Sequence, residues 1–207
     1  MGLISILFSN PGLFIILAAL LLYSVIAHEV AHGWVAYLFG DDTAMRSGRL
    51  SLNPMLHLDP IGTIALFIVG FGWAKPVPVD YSRLKNFRLG LISVSLAGCL
   101  TNILIATVAL FLLRLDAFGS NPSVAFLLSL VARINIILGS LNLIPIPPLD
   151  GSKILMGLLP RSGQMALVRF ERYGLFLLMI LLFTGILNPV IMFMQNMILG
   201  VIGFVLG

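Results

Sequence analysis

The chain has 207 residues, of which 59% are hydrophobic and only 10% charged, with a mean hydropathy of +1.10. A water-facing globular surface needs roughly 25% charged residues, so an ordinary soluble domain is excluded, and a disordered chain is excluded by the same apolar excess. Twelve Lys and Arg stand against eight Asp and Glu. No basic run exists to grip nucleic acid, so the pattern predicts a polytopic membrane protein with its basic residues in loops on one side.

The first 27 residues carry no charged side chain. They lack the basic n-region of a secretory leader, so the segment is expected to remain as a membrane helix. Its apolar pattern continues through 28–39 and stops at Gly40-Asp41-Asp42. A shorter run, 60–74, is dotted with Gly62, Gly70 and Gly72. The run 89–113 is long enough to span a bilayer. Another covers 117–149, interrupted only by Arg133. The stretch 173–207 has no charge and, as one helix, would be roughly 50 Å long against a hydrocarbon core of about 30 Å. Asn188-Pro189 is expected to break it.

The loops set the topology. Arg46, Arg49, Lys75, Arg83, Lys85, Arg88, Lys153, Arg161, Arg169 and Arg172 share one side if 60–74 enters the membrane and returns. Only Arg114 then faces the other side. That asymmetry predicts cytoplasmic basic loops and an outside N-terminus. There is no internal repeat, low-complexity tract or linker, so 1–207 is expected to be one membrane-embedded domain with no soluble accessory domain.

Charged groups at membrane depth are functional candidates. The first helix carries His28-Glu29-Val30-Ala31-His32. Histidines at i and i+4 share one helical face and can hold one zinc ion, with the adjacent glutamate as general base toward a zinc-bound water. An exposed polar face makes no sense between Leu20–Ile26 and Val35–Phe39. A plain buried histidine pair leaves the carboxylate unexplained. Haem is disfavoured because i, i+4 spacing puts both rings on the same side.

Tetrahedral zinc with two histidines and a water needs one more protein ligand. The single cysteine, Cys99, lies in an apolar run. His57, Asp59 and Asp150 are the candidates. Asp150 follows a run broken by Pro145, Pro147 and Pro148, and unwound backbone at membrane depth is tolerated only against protein or a water cavity.

His28-Glu29-x-x-His32, with Asn142-x-x-Pro145 and Leu149-Asp150-Gly151, resembles the site-2 protease family of intramembrane zinc metalloproteases, peptidase family M50, in its compact prokaryotic form. The resemblance runs from about Ser24 to Gly151. The segment 48–54, His57-x-Asp59-Pro60-x-Gly62 and the Gly- and Pro-rich stretch 72–79 are similar to further parts of that family. Gly98-Cys99-Leu100-Thr101-Asn102 matches its Gly-Pro-x-x-Asn element except that Cys99 replaces the proline.

The resemblance implies that His28, His32 and Asp150 ligate one zinc ion per chain and that Glu29 is the catalytic base, with His57 and Asp59 structural. Asn102 and Asn142 become candidate substrate or oxyanion contacts. It implies an all-α polytopic fold: a three-helix catalytic core at about 12–39, 89–114 and 124–150, a membrane-associated loop at about 60–80 that can include short β-strands, and C-terminal transmembrane helices. The implied function is hydrolysis of peptide bonds within or near transmembrane segments of membrane-protein substrates (regulated intramembrane proteolysis), in the plasma membrane of a prokaryote.

Residues 75–80, with Pro76 and Pro78, suit an edge strand that pairs with an unwound substrate. Arg133 is expected to pair with Asp116 or a carbonyl, or to reach an interface, and Trp34, Tyr37 and Trp73 to anchor at one. The rival reading is a zinc transporter or a metal-binding membrane protein without protease activity. It does not require Glu29 beside the ligands, and the inverted repeat found in many transporters is not visible.

Overall fold

Three of the long helices begin on the same local device, an asparagine whose side-chain oxygen accepts a backbone N–H of the first turn. A computed structural model describes residues 7–60, 62 and 74–207. In it, Asn10 caps α1 (Pro11–Leu38), Asn86 caps α2 (Phe87–Leu113) and Asn121 caps α3 (Pro122–Asn142). Proline follows the cap directly in α1 and α3, where its missing N–H costs nothing. α4 (Asp150–Leu158), α5 (Arg161–Phe183) and α6 (Asn188–Leu206) complete the long elements.

The helices α1, α2, α3 and α6 have 28, 27, 21 and 19 residues and are apolar enough to cross a membrane. At 1.5 Å per residue the shortest is about 28 Å long, close to a hydrocarbon core of about 30 Å. This is an all-α, multi-pass membrane protein.

α2 is the central helix. Its buried face is built from small residues, including Gly90, Ser95, Ala97, Gly98, Cys99, Ala106 and Ala109. Lipid gives no hydrophobic force between helices, so close backbone approach through small residues is what brings α1 and α3 against it. Ala106, Ile136, Ile198 and Ile202 then join α2, α3 and α6. α2 runs unbroken through Cys99, which keeps the N–H that a proline there would remove.

Two hydrogen bonds decide how the chain returns after α1. Lys85 N–H donates to Phe39 C=O at 2.9 Å, and Lys75 N–H donates to His57 C=O at 2.8 Å. The flanks of 60–74 therefore lie on one side of the bundle, although most of that segment falls outside the described residues. At the opposite end Arg114 Nη1 donates to the carbonyls of Leu206 and Gly207 at 2.6 and 3.0 Å. α2 and α6 thus end together, away from the basic loops.

Two boundaries and one expected strand differ from the sequence expectation. α3 stops at Asn142, short of 150, because Pro145, Pro147 and Pro148 cannot continue it, and a new helix starts at Asp150. α5 begins at Arg161, well before 173, and carries Arg169, Glu171 and Arg172. It parts from α6 at a turn with Gly185 at φ +73°, next to the expected break at Asn188-Pro189. Residues 74–80 form no strand.

Candidate metal centre

One turn apart on α1, His28 and His32 are both buried against α2. His32 Nδ1 lies 2.6 Å from Val94 C=O. A carbonyl only accepts, so Nδ1 carries the proton and Nε2 keeps its lone pair. His28 Nδ1 lies 2.7 Å from Asn102 Oδ1. Gly98 makes room for the His28 ring: a Cβ there would sit 2.6 Å from both ring nitrogens.

Asp150 arrives from the other side of the bundle. The segment 143–149 is seated by Ile144 and Leu149, which pack on Leu178 of α5 and on Leu187. Gly151 is required because a Cβ would strike the carbonyls of Leu143 and Ile144. Asp150 Oδ2 then lies 3.0 Å from His28 Nε2 and 3.1 Å from His32 Nε2, while the two Nε2 atoms are 3.0 Å apart.

This triangle tests whether a cation fits. With Nδ1 protonated on both rings, three acceptors face one another with no donor between them, and Asp150 Oδ2 is buried with no hydrogen-bond partner. Such a cluster repels itself unless a cation neutralises it. Ligand atoms 2.0–2.1 Å from a tetrahedral zinc lie about 3.3 Å apart, close to the separations seen here. The donor set and its spacing fit zinc, and His28, His32 and Asp150 are the metal-type cluster among the described residues.

Glu29, between the histidines in sequence, is partly buried. Its Oε2 accepts the Val77 N–H at 2.9 Å. Residues 74–80 form a strap across the end of α1, tied at several points. Arg49 Nη2 donates to the carbonyls of Lys75 and Pro76 at 2.7 and 3.1 Å. Asp41 Oδ2 accepts the Asp80 N–H at 2.7 Å. Gly33 lets Val77 and Leu50 pack against α1. The expected substrate-pairing edge therefore already spends several of its backbone groups inside the chain.

His57 and Asp59 are occupied away from the cluster. His57 is fully buried and its Nε2 donates to Ser51 C=O at 2.7 Å, while Asp59 Oδ1 accepts the Gly62 N–H at 2.7 Å. Asn102 stands behind His28. Asn142 Nδ2 donates to Leu138 C=O of its own helix at 3.0 Å. Arg133 is exposed and pairs with no acid among the described residues. Trp34 and Tyr37 are exposed and stack edge to face; Trp73 lies outside the described residues.

Sequence reasoning missed Asn135, Arg49 and Lys153. Lys153 Nζ lies 5.5 Å over the Tyr81 ring. Burial opposes its charge, but Tyr81, Asp150 and Glu171 raise its pKa.

Comparison with known proteins completes the picture. The model of peptidase family M50 matches residues 119–185, which include Asp150. "Putative zinc metalloprotease YwhC" of Bacillus subtilis is 41% identical over 183 residues, covering 85% of this chain and 84% of that protein. The chain belongs to peptidase family M50. "Putative zinc metalloprotease Rip2" of Mycolicibacterium smegmatis is 32% identical, covering 87% of this chain and 71% of the relative. "Zinc metalloprotease MJ0392" of Methanocaldococcus jannaschii is 28% identical over 87% of this chain and 45% of its own length. No solved structure matches. The M50 protein is thus a zinc-dependent protease, and the site-2 protease resemblance read from the motifs agrees with its family.

Proposed function

We propose that this M50 protein cleaves peptide bonds within or beside transmembrane segments of membrane-protein substrates, the chemistry of regulated intramembrane proteolysis. One zinc ion per chain is held by His28, His32 and Asp150, and Glu29 is the general base. The observation that carries this reading is the triangle of three buried acceptors without a donor, two of them on the spanning helix α1. His28 and His32 lie ten and six residues from the end of α1, about 15 and 9 Å from the basic loops.

A zinc ion held by His28, His32 and Asp150 would supply Lewis-acid polarisation of a scissile carbonyl and would activate a water for attack. Glu29 is placed to take a proton from the attacking water and pass it to the leaving amine. The Val77 N–H holds one carboxylate oxygen of Glu29 and so fixes the direction of the other. Asn142, at the end of α3 beside the broken segment, is a candidate contact for the substrate backbone or the developing oxyanion. Water reaches the site from the side of the basic loops, a short path. Those loops are cytoplasmic in our reading, the N-terminus is outside, the membrane is the plasma membrane of a prokaryote, and 1–207 acts as one domain.

The test is to incubate purified protein in detergent with a model transmembrane substrate and map the cut by mass spectrometry. A cut inside the apolar segment, abolished by a zinc chelator, supports the reading. Cleavage confined to soluble tails or soluble peptides contradicts it.

A further inference from the structure

Behind His28 a chain of buried side chains crosses three helices. Asn102 on α2 and Asn135 on α3 are both fully buried. Asn102 Nδ2 donates to Asn135 Oδ1 at 2.8 Å. Asn135 Nδ2 donates to Ser24 Oγ on α1 at 2.9 Å and to Val131 C=O on its own helix at 2.9 Å.

The direction of this chain is fixed by one atom. A backbone carbonyl cannot donate, so Val131 C=O must face the amide nitrogen of Asn135. Asn135 Oδ1 is thereby turned toward Asn102 and accepts from its Nδ2. Asn102 Oδ1 is left facing His28 Nδ1, which must carry the proton. The lone pair of His28 then sits on Nε2, the nitrogen 3.0 Å from Asp150 Oδ2. Reversing either amide sets donor against donor or acceptor against acceptor between Asn102 and Asn135, both fully buried.

We propose that Asn135 is a positioning residue that sets the tautomer of His28, and through it the nitrogen offered to the metal. It touches no metal or substrate itself. The inference rests on His28 being a ligand. His32 obtains the same tautomer independently from Val94 C=O, so the two histidines differ in what fixes them.

That difference supplies the test. The chain has three histidines, so ¹⁵N-histidine labelling reads each imidazole directly in zinc-free protein at alkaline pH. In wild type, His28 and His32 are both Nδ1–H. In Asn135→Leu the amide anchor is gone, and His28 becomes a mixture of tautomers while His32 keeps its own. Asn135→Asp, protonated at that depth, still accepts from Asn102 and donates to Val131 C=O, and restores the single tautomer. Zinc affinity, measured by chelator competition, falls about 10–100-fold in Asn135→Leu, as for other residues that orient a ligand. Asn135→Ala, measured alongside, covers the case in which leucine does not pack.

A single Nδ1–H tautomer of His28 together with wild-type zinc affinity in the Leu or Ala variant overturns the proposal. Wild-type protein that binds no zinc overturns the ligand assignment instead, while the tautomer of His28 still decides the relay.

Discussion

Gly98→Ala places one methyl group against the metal site without removing a ligand. An ideal Cβ at Gly98 lies 2.6 Å from His28 Nδ1 and Nε2, whereas carbon and nitrogen rest about 3.5 Å apart or more. The ring must retreat by nearly ~1 Å. It is held at Nδ1 by Asn102, and metal sites tolerate only about 0.2 Å in ligand distance. Alanine also helps the helix by about 1 kcal/mol relative to glycine, which offsets part of an overpacking cost of about 1–3 kcal/mol. The zinc-free protein therefore loses up to about 2 kcal/mol. The displaced ring further weakens the zinc-bound state, and each 1.4 kcal/mol is tenfold in affinity. We expect zinc affinity, measured by chelator competition, to fall between about 5- and 150-fold, with the melting temperature of the zinc-free protein lowered by no more than about 8 °C. Unchanged zinc affinity in folded Gly98→Ala would refute the placement of His28 as a ligand against α2.

Asp150→Ala should abolish stoichiometric zinc binding, read by metal analysis; full retention would move the third ligand elsewhere. Arg49→Met removes two bonds from a charged donor to the strap, each worth about 1.5–3 kcal/mol. Amide exchange over 74–80 should accelerate at least about tenfold while zinc content holds, and an unchanged exchange rate would show that Arg49 does not tie the strap down. Asp80 is held below its ordinary value of 3.8 by the Ser82 hydroxyl and amide, with Arg83 adding to them against the pull of desolvation. A depressed carboxyl stabilises the fold above its ordinary pKa and loses that contribution as pH falls through the folded value. The difference in melting temperature between wild type and Asp80→Asn should therefore shrink as pH falls below the ordinary value of 3.8; a difference that stays constant on acidification would contradict this role.

The spanning helices were legible because charge-free runs of the right length leave few alternatives in a chain this apolar. The shared face of His28 and His32 was legible from one helical turn, and the prolines before Asp150 marked it as one of three candidates, among which the family resemblance chose. What escaped depends on contacts between distant segments. Asn135 sits two residues after Arg133, and the charge drew attention to the wrong position: Arg133 faces outward, while Asn135 is fully buried. A signal was present, since Asn135, Gly139 and Asn142 fall at i, i+4 and i+7 and form a small, polar stripe on an otherwise apolar helix. Arg49 read as one more basic loop residue because its partners, the carbonyls of Lys75 and Pro76, have no sequence signature. His57 looked like a candidate ligand by residue type, and only its place beside Ser51 and Lys75 shows it closing a loop.

The most direct test of the central claim compares wild type with Glu29→Gln. The two are purified in parallel, their zinc content is measured, and each is given the same transmembrane substrate. The account predicts zinc near one per chain in both and cleavage in wild type alone. Cleavage that persists in Glu29→Gln would contradict the role given to Glu29 and, with it, the mechanism built on this site.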